Sequence, residues 1–238
     1  MQLRRRISAM LKRSKLDRSL KASLKRQIAF SQFGACADSV MVRTRVGAFL
    51  VDPCDLKIAK SLLDTASVND EEIALLERLS SAGPSLLVVG RHYGTVAIPA
   101  ARFFDDVKIV EANPKTALLL RDNVRLNALS EKVEVIEGAA AEKACSLTFL
   151  SNRVNSGGSK RIPKHQHAIY TFDTDTITVD GMALDQRLNQ KPDVIFMDIE
   201  GSEFFALQGM QTLLKTATYV SMEFMPHLIK NVAAISVE

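Results

Sequence analysis

The apolar run Leu-Leu-Val-Val at 86–89 follows the breaker Gly83-Pro84 and leads into a glycine turn that runs from Gly90 to Gly94. A run this continuous leaves no wet face, which predicts a strand buried on both sides in the middle of a parallel sheet. A parallel sheet needs a crossover between neighbouring strands, and the sequence supplies them. Strand-type runs at 107–110, 133–136, 193–197 and 219–224 alternate with helical patterns at 114–127 and 202–214. That alternation predicts an α/β fold with a doubly wound, mostly parallel sheet. Ahead of it, residues 47–51 read as a short strand. Asn69 with Glu72, before Ile73, Leu75, Leu76 and Leu79, reads as a helix start of capping-box type.

The N-terminus has a different character. Residues 1–30 hold ten Lys or Arg against the single acid Asp17, so this segment carries +9 while the other 208 residues sum to −5 within the overall +4. Leu3, Ile7, Met10 and Leu11, then Leu16, Leu20, Leu24 and Ile28, recur at helical steps. Residues 1–46 therefore read as a basic amphipathic arm attached to a domain over 47–238. Such an arm packs on its own domain or a sister subunit, lies on anionic lipid, or contacts nucleic acid, in that order of expectation. Its Arg- and Ser-rich, acid-poor composition also matches an organelle transit peptide. No apolar stretch reaches the length of a membrane span, and Cys36, Cys54 and Cys145 form no CxxC pair. The expectation is a cytoplasmic protein with reduced thiols, no bound metal, and peripheral membrane contact through residues 1–30 as an option.

Three constellations carry candidate chemistry. Gly90 and Gly94 flank Arg91-His92-Tyr93 where the first core strand enters a helix, and such a turn lets backbone approach a ligand. Many strand-to-helix turns use glycine without a ligand, so this signal is weak alone. Glu111 ends the second core strand, 21 residues after Gly90. In an open α/β sheet it faces the same crevice, where a carboxylate accepts both ribose hydroxyls of a nucleoside. The third is Asp198-Ile199-Glu200-Gly201-Ser202-Glu203 at the end of the run 193–197. Crowded carboxylates raise one another's pKa, which suits a base or a metal site, although a helix N-terminus by itself favours an acid such as Glu203. About 55 residues separate the third strand from the fourth, and 146–180 is the expected substrate-recognition insertion, with an alternating strand around 170–179.

Taken together, these residues resemble the FkbM family of S-adenosylmethionine-dependent methyltransferases. The likeness runs from about Phe49 to Pro226. It includes the helix 69–79, the Gly90 to Gly94 turn, Glu111-Ala112-Asn113-Pro114, Asn123 and Asn127, and Asn155-Ser156-Gly157-Gly158. It continues through Ala183-Leu184-Asp185, the acids from Asp198 to Glu203, and Glu223 with Pro226. The resemblance implies a Rossmann-like class I methyltransferase fold and S-adenosylmethionine as cofactor. By it, Gly90 and Gly94 hold the methionine part, Glu111 the ribose, and the Glu137–Ala140 turn with Ala139 the adenine, while His92 and Asn113 are further cofactor-binding residues. Asp198 stands beside the sulfonium. Asp198, Glu200 and Glu223 are the candidate catalytic bases, with His227 a weaker one. The implied reaction is O-methylation of a glycan or small secondary metabolite.

Two departures stand out. The acid that opens the family's first motif is Val88 here, and the Lys two residues before Asp198 is Phe196. They motivate an alternative, a catalytically silent binding or scaffold protein, while the basic arm motivates a third, nucleic-acid methylation. Restoring the acid with Val88→Asp is expected to leave the fold intact and tighten cofactor binding. The residues after 227 are too few for the two further strands of a class I sheet, so an abbreviated edge is expected, and with it a homo-oligomer.

Overall fold

The computed structural model describes residues 36–234 except 56, 67–68, 153–154 and 164–173, together with five positions between 24 and 34. Most of the expected arm, and the beginning of the strand expected around 170–179, lie outside the described residues. A hairpin opens the domain, β1 (Val40–Thr44) with β2 (Gly47–Val51). Helices α1 (Ile58–Thr65) and α2 (Asp70–Leu79) follow, then β3 (Ser85–Gly90), α3 (Ala97–Ala100), β4 (Asp106–Glu111), α4 (Pro114–Leu126) and β5 (Val133–Glu137). The segment between β5 and the next helix, which contains the insertion, holds β6 (Ala139–Ala140), β7 (Cys145–Asn152), β8 (Lys160–Arg161) and β9 (Thr174–Met182). The chain then forms α5 (Leu184–Arg187), β10 (Val194–Asp198), α6 (Glu203–Gln208), α7 (Gln211–Thr216), β11 (Tyr219–Met222) and α8 (Pro226–Ala233).

The five core strands pair in parallel in the order β11-β10-β3-β4-β5, as the alternation required. One sheet face carries Val88, Ile109 and Phe196 against the hairpin, α1 to α3 and α4. The opposite face carries Leu87, Val89, Ile195 and Met197 against α5, α6 and α7. Alternate residues of β3 thus enter two different cores, which is why the run 86–89 shows no polar position. The insertion forms a second sheet, β6-β9-β7-β8, with its own apolar cluster around Leu147, Phe149 and Val179. Among the described residues no helix is long and apolar enough to cross a membrane.

Local signals and tertiary contacts diverge in two helices. The helix after Asn69 forms, but not through a capping box. The Asn69 carboxamide accepts a hydrogen bond from Thr95 Oγ1 at 3.0 Å, and Glu72 pairs with Arg91 at 3.1 Å. Asp70, Glu71 and Glu72 in the first turn still favour the helix through its dipole. The single helix expected at 202–214 is broken in two at Gly209-Met210. A side chain at Gly209 would collide with the Ala141 carbonyl oxygen, and the Asp185 carboxylate accepts the N–H groups of Thr212 and Leu213 at 2.8 and 3.0 Å. A second N-terminus is thereby fixed in mid-segment.

Asn123, wholly buried on α4, joins the hairpin to the core. It accepts from Leu50 N–H at 2.6 Å and donates to the carbonyls of Leu50 and Tyr93, each at 3.0 Å. Asn127 makes the same kind of bridge to Ala48. Asn123→Ala leaves the buried Tyr93 carbonyl and two partly buried Leu50 backbone groups without this partner and should cost about 3 kcal/mol of unfolding free energy, read by urea denaturation.

Val88 overturns one expectation. It is fully buried, lies in register between Ile109 and Phe196, and does not line the crevice described below. A carboxylate there would be an unpaired buried charge. Val88→Asp is therefore expected to destabilise the fold by about 3–5 kcal/mol rather than tighten ligand binding, and thermal unfolding of the variant checks this.

Candidate functional site

From β3 the chain proceeds outward through β4 to β5, then returns to place β10 on the other side of β3. At such a reversal the loops leaving adjacent strands diverge and open a crevice at their carboxyl ends. A cavity of about 630 Å³ lies there. Gly90, His92, Glu111, Asn113, Ala139, Asp198, Glu200 and Glu223 all line it, so the structure brings together every predicted site residue except Gly94. Gly94 sits behind the loop, with φ +83°, where a Cβ would lie 2.6 Å from Leu120 Cδ1. It lets α4 pack against the loop and makes no wall of the cavity.

The loop itself is unusual. Gly90, Arg91 and His92 all have positive φ, at +85°, +83° and +61°. Arg and His in that region each cost on the order of 1–3 kcal/mol, strain that the surrounding structure must hold in place. At Gly90 a Cβ would collide with the Asp198 carbonyl oxygen, so only glycine admits this pairing of β3 with β10.

Glu111, 8% exposed, accepts the His92 N–H at Oε2 (3.2 Å) and the Asn113 N–H at Oε1 (2.9 Å). Burial pushes its carboxyl up to about 7 against these two bonds. Asn113 also caps α4, its Oδ1 accepting Lys115 N–H at 3.1 Å.

A second group gathers on Ser156, from the insertion. Its hydroxyl lies 2.7 Å from Asp55 Oδ2, 2.6 Å from His92 Nε2 and 3.1 Å from Tyr93 Oη. With Asp55 ionised, the single Ser156 proton goes to that carboxylate, so His92 Nε2–H and Tyr93 O–H both donate to Ser156. His92 is then the Nε2–H tautomer, with Nδ1 bare and without a partner. Burial drives its pKa down to about 3, so the ring is neutral. Asp55 Oδ1 meanwhile accepts the N–H groups of Lys57 and Ile58 at 2.8 and 2.9 Å. The sequence reading singled out neither Asp55 nor Tyr93. An Asp two and three residues before those amides is the one local signal that could have marked Asp55, as a helix cap.

The acidic end is built around Arg91. Its Nη1 lies 3.2 Å from Asp198 Oδ2, its Nη2 3.1 Å from Glu72 Oε1, and its guanidinium carbon 5.0 Å from the Phe196 ring centroid. The positive charge beside Asp198 thus comes from Arg91 stacked on Phe196. Burial, then the neighbouring Glu223, raises the Asp198 carboxyl well above its ordinary value, and Arg91 opposes this. Glu200 pairs with Lys160 at 3.4 Å. Glu203 accepts the Ile199 N–H at 3.2 Å and so acts on the backbone at the start of α6.

The parallel sheet, the reversal between β3 and β10, and an acid closing the strand next to β3 define a Rossmann-like fold of the class I methyltransferase type. The chain belongs to the FkbM family of methyltransferases, whose Methyltransferase FkbM domain matches residues 89–232. Among solved structures it is similar to the methyltransferase FkbM from Methylobacillus flagellatus KT. Identity there is 16%, with 59% of this chain and 32% of that one covered and a TM-score of 0.43. It is also similar to an O-methyltransferase from Bacillus cereus in complex with SAH, at 19% identity, 67% and 57% coverage and TM-score 0.40. Methanocaldococcus jannaschii Trm5 in complex with adenosine matches at 10% identity, 88% and 54% coverage and TM-score 0.45. The chain therefore spans from about a third to just over half the length of these proteins. No curated protein matches it in sequence.

The raised Glu111 pKa has a measurable sign. A carboxyl whose folded pKa exceeds its unfolded value of 4.5 adds stability that is complete below that value and is lost as pH climbs through about 7. Glu111→Gln should reduce the fall in unfolding free energy between pH 5 and pH 8 by up to about 3 kcal/mol. Asp55, Asp198 and Glu203, also raised, leave a residual slope of the same sign. Urea denaturation at the two pH values reads the difference.

Proposed function

We propose that this chain binds S-adenosylmethionine in the crevice and transfers its methyl group to a hydroxyl of a glycan or a small secondary metabolite. One observation carries the reading. Among the described residues, six buried side-chain polar atoms lack a hydrogen-bond partner, and five belong to residues that line this one cavity: Arg91, His92, Asn155, Asp198 and Ser202. Folded proteins rarely leave such atoms unpaired, so their concentration here supports a polar, multiply hydrogen-bonding ligand. The mixture of donor (Arg91 Nε) and acceptors (His92 Nδ1, Asp198 Oδ1) suits an amino-acid zwitterion joined to a nucleoside.

In this reading Gly90 and His92 hold the methionine part, Glu111 and Asn113 the ribose side, and Ala139 the adenine. The bound cofactor supplies an electrophilic methyl on a sulfonium. The chain's own residues position the acceptor oxygen in line with it, and Asp198, Glu200 and Glu223 are the carboxylates placed to take the hydroxyl proton. The insertion residues Phe149, Asn155, Ser156 and Ser159 close the cavity and provide the acceptor side. The cytosolic location that belongs to this reading is supported by three cysteines that form no disulfide.

The departures from the family motifs at Val88 and Phe196 motivate a second reading, in which the crevice binds the nucleoside cofactor without turnover. Titration calorimetry should show heat with both S-adenosylmethionine and S-adenosylhomocysteine, and silence with both would defeat either version. Asp198→Ala should lower methyl transfer at least about 100-fold, followed by mass spectrometry over a panel of glycans and metabolites. Wild-type protein that binds both ligands yet methylates nothing in that panel would select the silent reading.

A further inference from the structure

We propose that Asp55 and Ser156 are positioning residues, which fix His92 in the tautomer with a bare Nδ1 and so make the loop after β3 select a hydrogen-bond donor on the bound ligand. The ligand half of this rests on the cofactor reading above, and the tautomer half does not.

The direction of every hydrogen bond around Ser156 follows from Asp55. Its Oδ1 accepts the backbone N–H groups of Lys57 and Ile58 at 2.8 and 2.9 Å, which fixes the carboxylate at the start of α1. Its Oδ2 faces Ser156 Oγ at 2.7 Å, and an ionised carboxylate has only lone pairs to offer. The one hydroxyl proton of Ser156 therefore points to Asp55. Tyr93 Oη accepts the Asp52 N–H at 3.4 Å and donates its own proton to Ser156 at 3.1 Å. His92 Nε2, at 2.6 Å, meets the remaining lone pair of Ser156 and must carry the ring hydrogen.

The other ring nitrogen is thereby left as an acceptor. His92 is 6% exposed and sits at φ +61°, with its backbone N–H held by Glu111. Gly157 lets the insertion come this close, because a Cβ there would lie 2.6 Å from Ile58 Cδ1. Nδ1, which Ser156 does not engage, is buried and has no partner, in a residue that lines the cavity. Burial holds the ring neutral, so the group on offer is an uncharged lone pair. A ligand N–H or O–H completes it. A carboxylate has acceptors only and is refused there, while the unpartnered Nε–H of Arg91, one residue earlier, suits it. S-adenosylmethionine carries donors of the required kind in its α-ammonium and its ribose hydroxyls.

Asp55→Asn inverts the pattern at nearly constant shape. The two amides hold the carboxamide oxygen where Oδ1 stood, so the NH₂ group faces Ser156 and donates to it. Ser156 then gives its proton to His92 Nε2, and the ring hydrogen moves to Nδ1. A ligand donor that met a lone pair now meets an N–H.

Long-range proton–nitrogen correlation spectra of the full chain without ligand distinguish a protonated ring nitrogen from a bare one, and the His92 signal is the one missing from His92→Gln. Burial raises the Asp55 carboxyl against its three hydrogen bonds, and Asp52 adds to the rise. The spectra are therefore taken at about pH 8, on the ionised side. The wild type should show Nε2 protonated and Nδ1 bare, and Asp55→Asn the reverse. Titration calorimetry then compares S-adenosylhomocysteine with its deaminated analogue and with the analogues lacking one or other ribose hydroxyl. Asp55→Asn should weaken S-adenosylhomocysteine roughly 10- to 100-fold, and should leave within about twofold the one analogue that lacks the donor facing Nδ1, which identifies that donor. A wild-type His92 protonated at Nδ1 would overturn the proposal without any variant. So would a tautomer unchanged in Asp55→Asn, or an inverted tautomer with all four ligands weakened alike. Wild-type protein silent towards S-adenosylhomocysteine is a separate failure, which defeats the cofactor reading and the ligand half, while the spectra still decide the tautomer half.

Discussion

The site depends on the close approach of two strand ends. Gly90 on β3 lies against the Asp198 carbonyl on β10, closer than any side chain would allow. Those strands are neighbours although more than a hundred residues separate them, and the sheet reverses direction between them. From that contact the loop after β3 must turn sharply, which it does through three successive residues with positive φ. The turn aims the His92 amide at Glu111 and the Arg91 guanidinium at Asp198. The crevice is therefore a product of one glycine and one topological reversal.

Strain of this kind persists only when other contacts hold it. Ser156 supplies one such lock, joining Asp55, His92 and Tyr93 from three parts of the chain. Asn123 supplies another by fixing the Tyr93 carbonyl from α4. The second lock is a satisfied structural network, whereas the first sits on the cavity wall and leaves His92 Nδ1 unused. Rigidity on one side and unspent hydrogen-bonding capacity on the other are what a preorganised polar binding site requires.

Much of this was legible in the residues. The strand at 86–89 announced itself because both sheet faces are covered, so burial is written as an unbroken apolar run, whereas those at 107–110 and 133–136 are mostly apolar runs interrupted by Lys108 and Glu134. Glu111 was legible because its distance from the glycine turn is set by one crossover. Less was legible where a residue's partner lies far along the chain. Glu72 reads as half of a capping box, yet Arg91 claims it. The helix at 202–214 reads as continuous, yet Asp185 and Ala141 divide it. Phe196 reads as a missing cation, yet it is the surface on which Arg91 lies. Gly94 reads as a ligand-cradling glycine, yet it accommodates Leu120.

The sequence by itself determined the alternating α/β architecture, the central position of β3 and the family to which the chain belongs. Each of these is encoded in periodicity, turn chemistry and short-range spacing, which are local properties. Tertiary structure decided which polar groups meet. It placed Ser156 between Asp55 and His92, set Glu223 beside Asp198, and buried Val88 where an acid had seemed restorable. Those outcomes turn on strand register and on the direction each side chain takes from the sheet, and register is fixed only when distant segments pack. The glycine turn was visible from the start, but its ligand-facing half, Gly90 to His92, and its packing half, Gly94, separated only in three dimensions.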